Sequence, residues 1–295
     1  MSIDSDLHRG TAAGPAYPVS EWAQWHADRE RVLQEQHGWL SLTGFHWLPA
    51  TPAALEGLPG RWQADPTGAR GSFAAGDGLQ LWEGSDSSSD GIHETGAHES
   101  GVHEAGVHEA VVDEQGSLRW LRWGERQIEL ARRGGRYAIR IRDPHASART
   151  EFPGVPTYPL DPVWRRPATV KPRSEPEVVD VDTARSDLRQ QARLDADVIV
   201  ELPDGSDVQL AATAGADGGW SILFHDTTNG VDTARWRVVF ASAPDTAGQV
   251  TIDFNRALNM PFSFSDFGTC PAPVPGNVIP VAVTAGELAP VRTSR

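Results

Sequence analysis

At 295 residues the chain can form one large domain or two ordinary ones, and a domain of this size removes about 75% of its unfolded surface from water. Its 40 acidic residues against 26 basic ones give a formal net charge of −14, which repels phosphate backbones and anionic membrane surfaces and argues against a nucleic-acid or membrane partner. Hydrophobic residues at 39%, with 11 tryptophans, are enough for a sizeable core. Lys171 is the single lysine, so nearly every cation offers a planar guanidinium fork. The single cysteine, Cys270, excludes an intrachain disulfide framework. The start MSIDSDLHRG has neither the basic nor the apolar region of a signal peptide. No apolar run approaches the ~20 residues that cross a bilayer. The expectation is a cytoplasmic protein.

Residues 1–19 are polar and without periodicity, which predicts a disordered tail ahead of a single β-rich domain over 20–290. Ser20 is suited to an N-cap, Glu21 to the first turn, and Trp22, Trp25, Val32 and Leu33 share one stripe, predicting an amphipathic helix over 21–36. The run Gly38 to Leu48 is aromatic and aliphatic, hence buried connection or strand. Short, mostly alternating runs follow at 118–123, 127–132, 136–142, 178–182, 197–202, 207–212, 219–225, 235–241 and 249–255. Separated by Gly, Asp and Pro clusters, they predict a mainly β fold, an antiparallel barrel or sandwich. Residues 183–195 are good helix formers of low β-propensity and predict one short internal helix. The proline-rich stretch 144–176 is expected to pack irregularly across an end of the sheet.

A repeat at 91–110 places His93, His98, His103 and His108 five residues apart, each followed by Glu, within a low-complexity insertion at about 85–110. Five residues turn a helix by about 500°, and an odd step reverses the face of a strand, so neither structure gathers the four rings on one side. A surface insertion is the simpler reading, and adventitious Zn²⁺ or Ni²⁺ binding by a wrapped loop the alternative.

The strongest local text is Asp253 to Phe262, then Asp266 to Pro271, Pro275 to Pro280, and Ala285 to Glu287. It resembles the C-terminal signature of an uncharacterised bacterial and archaeal family, domain of unknown function 1684. Gly38 to Leu48, the strand carrying Arg140, Arg142 and Asp143, and Phe224 to Gly230 followed by Thr233 resemble it too, so that the likeness runs in order over roughly 20–288. Asn259-Met260 stands where the family tends to carry an asparagine, prolines and a second cysteine, and the His-Glu repeat has no counterpart. The resemblance implies an arrangement of motifs and no activity.

The sequence has no G-x-S-x-G elbow, phosphate-binding G-x-x-x-x-G-K loop, H-E-x-x-H helix or dinucleotide fingerprint, so no cofactor is implied. Cys270 with His225 as base is the minimum for a thiol nucleophile, against the simpler reading of Cys270 as a small buried hydrophobe. Two strands carry the clearest polar signal. In 249–256 Thr251, Asp253 and Asn255 share one face and Arg256 follows; in 137–143 Arg140 and Arg142 alternate with apolar residues before Asp143. An outward polar face or a pocket at a barrel mouth both explain this. Asp226 to Gly230 reads as an Asx-type turn, or as part of the same site. Residues 257–278 form a loop too aromatic to be disordered and longer than most in compact domains, hence a candidate lid or pocket wall.

Two functions follow. In the first, Arg140, Arg142 and Arg256 hold an anionic, oxygen-rich small molecule, Asn255 lies beside them, and Asp143 or Asp226 orients them or acts as acid or base. In the second, the chain is a structural or interaction module whose arginines pair with acidic side chains.

Overall fold

The computed structural model describes residues 17–82, 98–103 and 106–292, with residues 98–103 described by their backbone course. Residues 1–16 of the expected tail lie outside this range. The tail ends earlier than expected, because the Tyr17 hydroxyl donates to Asp253 at 2.7 Å and the helix spans Val19–Leu33 with Pro18 as N-cap. Leu33 is buried at its end, and the Trp22 indole donates to the Asn255 carbonyl at 2.9 Å. The Trp25 ring lies under Arg256 at 5.5 Å, so the helix is docked through both of the tryptophans that predicted it.

The described strands form three open antiparallel sheets, none closing on itself through hydrogen bonds. One five-stranded sheet runs in the order Leu42–Trp47, Arg136–Arg142, Arg126–Arg133, Ser117–Trp123, Leu79–Leu81. A second runs Ala53–Leu55, Leu58–Asp65, Gly68–Ser72, Val107–Val111, His98–His103. These two share a core in which Trp62 and Trp120, both fully buried, meet edge-on with ring centroids 5.7 Å apart. The seven-stranded sheet runs Gln249–Asp253, Arg165–Asp182, Arg189–Glu201, Asp207–Ala214, Trp220–Phe224, Arg237–Ala241, Leu258–Asn259, and its apolar face holds a second core around Val198, Leu210, Phe224 and Phe254.

Gly71 pairs with Trp62 across the ladder, and a Cβ there would stand 2.7 Å from the indole. The ring is locked in the core and has nowhere to go. Gly71→Ala should cost about 1–3 kcal/mol by overpacking, read from the shift of the urea midpoint.

Several expectations need correction. Residues 183–195 are not a helix: Thr183–Leu188 make a turn whose Thr183 hydroxyl bonds Arg185 and Leu188, and Arg189–Asp195 belong to the strand Arg189–Glu201. That strand's first half pairs with Glu177–Asp182, so tertiary hydrogen bonds override a local helix preference. Residues 165–176 are likewise strand, continuous with 177–182, with Pro172 at a break in register where a missing N–H is tolerated. The insertion at about 85–110 is shorter than expected, because Val107–Val111 pair with Gly68–Ser72 and Ala110 is fully buried. Of the four histidines, His93 lies outside the described residues, His98 and His103 fall in one strand, and the His108 ring stacks on Phe73 at 4.5 Å.

Among the described residues no helix is long and apolar enough to cross a membrane.

Candidate functional site

In the strand Arg126–Arg133, Ile128 and Leu130 point into the shared core, so Gln127, Glu129 and Arg133 point to the opposite face. That face is also buried. Arg140 donates from Nη1 to Glu129 Oε1 at 2.7 Å and from Nη2 to the Thr269 hydroxyl at 2.6 Å. Arg142 donates from Nε to Glu129 Oε2 at 2.7 Å and from Nη1 to the His37 and Gly38 carbonyls at 2.8 and 2.9 Å. Burial alone would push the Glu129 carboxyl up, but the charges of Arg142 and Arg140 and hydrogen bonds from Arg142 and Ser117 hold it well below the usual carboxylate range. Burial, then the Arg140 charge, pushes the Arg133 guanidinium down to about 10, so it stays charged at neutral pH. Arg140 and Arg142 are thus consumed by a buried carboxylate, and through Thr269 this cluster fastens the 262–271 segment to the sheet.

The other expected site residues are scattered. Asp143 accepts Arg126 Nε at 2.7 Å and the His145 amide at 2.9 Å, beside a cavity of about 320 Å³ lined by Trp123, Arg126 and His145. Asp226 pairs with Arg237 at 2.8 Å, both side chains fully buried, and its other oxygen closes the turn by accepting the Thr228 amide. Asn255 ties Asp161 to Asp253. Arg256 lies over the Trp25 ring at 5.5 Å and 3.7 Å from Asp253, holding the N-terminal helix. Cys270 is buried and its thiol is pushed up to about 11 by that burial, while His225 Nδ1 faces the Arg235 carbonyl at 3.1 Å. Among the described residues no three His, Cys, Asp or Glu side chains gather to hold a metal ion.

What the structure does bring together lies along the aromatic segment. Phe262, Ser263, Phe264 and Ser265 are all buried. Two cavities adjoin there, meeting at Ser265, Asp266, Pro290 and Arg292. The larger, about 600 Å³, is walled by Leu40, Leu42, Phe152, Pro153, Phe264 and Val291, with Glu151 at its edge. The smaller, about 530 Å³, is lined by Thr233, Arg235, Ser263, Ser265 and Gly268. The Arg235 guanidinium sits 4.9 Å above both the Trp236 and Phe262 rings, donates to the Ala184 carbonyl at 3.2 Å, and has no carboxylate partner among the described residues. Ser263 Oγ, in the same wall, is buried without a hydrogen-bond partner. Arg292 is held by Asp266 at 2.7 Å in an exposed pair.

Sequence reasoning selected this loop but missed Arg235, Ser263, Ser265 and Arg292. The available signal was the pair of serines interleaved with Phe262 and Phe264, polar groups where an ordered aromatic segment has little reason to keep them.

The chain is thus a mainly β protein of open antiparallel sheets with a cleft beside its C-terminal loop. Residues 150–288 match the family described as "Protein of unknown function (DUF1684)", and through this segment the chain belongs to that family. The match is narrower than the 20–288 suggested by motif order and leaves Gly38–Leu48 and Arg140–Asp143 outside. An uncharacterised protein from gene locus rrnAC0354 of Haloarcula marismortui, solved by NMR in solution, is 31% identical, with 48% of this chain and 78% of that one covered and a TM-score of 0.39. No curated protein is similar enough to match.

Proposed function

We propose that the chain binds an anionic, oxygen-rich small molecule in the cleft beside the 261–268 segment, with Arg235 as the principal cation. The observation that carries this reading is the Arg235 guanidinium in the wall of the smaller cavity, seated over the Trp236 and Phe262 rings and without a carboxylate partner among the described residues. In this reading Arg140 is a positioning residue, holding Thr269 and so the adjacent Gly268 wall. Gly268 can only be glycine here, since a Cβ would stand 2.9 Å from the Phe262 backbone.

A thermal-shift screen of carboxylates and phosphates tests the proposal, because a ligand at 100 times its Kd adds about 2.7 kcal/mol. Arg235→Lys keeps the charge but loses the fork and the flat stacking surface. It should abolish the shift while changing stability by less than about 1 kcal/mol. A screen without any stabilising anion would sink the reading. It would leave a structural module, which the burial of Arg140, Arg142 and Asp226 in internal pairs favours.

A further inference from the structure

The two cavities differ in chemistry, and the difference restricts the ligand class. The larger is walled mainly by aliphatic and aromatic side chains, and a pocket of this size and lining suits an apolar body. The smaller is lined by Thr233, Ser263, Ser265 and Gly268 and carries the fork of Arg235, while the Thr233 and Ser265 hydroxyls are bonded within the protein.

The charges of the described lining residues limit how much anion the cleft accepts. Arg292 is already neutralised by Asp266. Glu151 adds a negative charge at the larger cavity, so Arg235 is left to serve one anionic group, and a second charge placed toward the apolar end would meet Glu151. Like charges in one site cost both repulsion and desolvation. The exposed Asp266–Arg292 pair stands where the cavities meet, and such a pair is worth about 0–1 kcal/mol, so it can part at little cost to let a chain cross.

Resting on the anion-binding reading above, we infer that the ligand is an amphipathic monocarboxylic acid. Its carboxylate sits on Arg235 in the smaller cavity, and its apolar body crosses the Ser265–Asp266 junction into the larger one. The two carboxylate oxygens match the guanidinium fork.

Isothermal titration of the full chain with straight-chain monocarboxylates from butyrate to decanoate, below their micelle concentrations, tests this against succinate, inorganic phosphate and decanol. The expected result is an affinity that rises about fourfold per methylene, the fold-change of ~0.8 kcal/mol of apolar burial, until the larger cavity is filled. Succinate, phosphate and decanol should bind at least about tenfold more weakly than decanoate, for want of a methylene tail, an apolar body or a charge respectively. Arg235→Gln should weaken every chain length by the same factor, whereas Val291→Ser, at an exposed position on the apolar wall, should flatten the chain-length dependence and leave butyrate unchanged. Glu151→Gln should improve succinate and not decanoate.

Tight binding of succinate or phosphate with no chain-length dependence would overturn the amphipathic assignment and leave the Arg235 site standing. Equal binding of decanol and decanoate would overturn the carboxylate contact. No binding by any of these anions would overturn the inference and the anion-binding reading together.

Discussion

Glu129→Ala should lower the free energy of unfolding by about 3–5 kcal/mol, because it strands Arg140 and Arg142 inside the protein without their shared carboxylate. All three side chains are at most 4% exposed, so water cannot replace the lost partner. Urea denaturation measures the loss, and a change under about 1 kcal/mol would show that the triad does not hold the sheet to the 262–271 segment. The same carboxylate sets a pH dependence. Its folded pKa lies below the ordinary value of 4.5, so the ionised form stabilises the fold at every pH above 4.5. That contribution is lost as pH falls through the folded value. Wild-type protein should therefore lose stability relative to Glu129→Gln on acidification below 4.5, and the difference between the two should be flat from pH 6 to 8.

Arg237→Ala should cost a similar ~3–5 kcal/mol and should unfasten the C-terminal strap. The fully buried guanidinium donates to the Asp226 carboxylate at 2.8 Å and to the carbonyls of Val283, Ala285 and Glu287 at 2.9, 2.5 and 3.4 Å. Its face covers the Phe224 ring at 5.4 Å. Removing it leaves a buried carboxylate and three carbonyls with fewer donors, a larger penalty than losing one surface pair. In a double-mutant cycle, adding Asp226→Ala to Arg237→Ala should cost less than the sum of the two single losses, since the charge stranded by the first change is removed by the second. Additivity of the two would show that the pair is not coupled.

The structural fate of the arginines separates what was readable from what was not. The alternation of Ile139 and Ile141 with Arg140 and Arg142 correctly marks a strand with one polar face. An outward face and a pocket were the two explanations, and neither describes it. The face is covered by the Trp39 ring and by Thr269, itself held by Gln190, far along the chain, and both cations are spent on Glu129. Asp226 to Gly230 is legible as an Asx turn, and the structure keeps that turn, with Thr228 donating to Asp226. Its pairing with Arg237 depends on two strands meeting and leaves no trace in local text. Arg235 has no local signal at all. It is one arginine among many, distinguished only by which rings lie beneath it and which carboxylates do not lie near it.

By itself, the sequence determined the mainly β class, the N-terminal helix, most strand positions after residue 116 and the order of the aromatic C-terminal loop, but not the sheet formed by strands between 53 and 111. These follow from properties that a short window contains: the period-2 and period-3.6 placement of apolar side chains, and the turn chemistry of Gly, Asp and Pro. Only the tertiary structure decided that 189–195 is strand and not helix, because the ladder partner at 177–182 outweighs a propensity worth a few tenths of a kcal/mol per residue. It also decided which cations pair inside the protein and that Arg235, among the described residues, lines a cavity without a carboxylate partner. A guanidinium's role is set by desolvation and by the charges within a few ångströms, and residues such as Glu129 and Arg140, or Asp226 and Arg237, reach that distance only when the sheets are assembled.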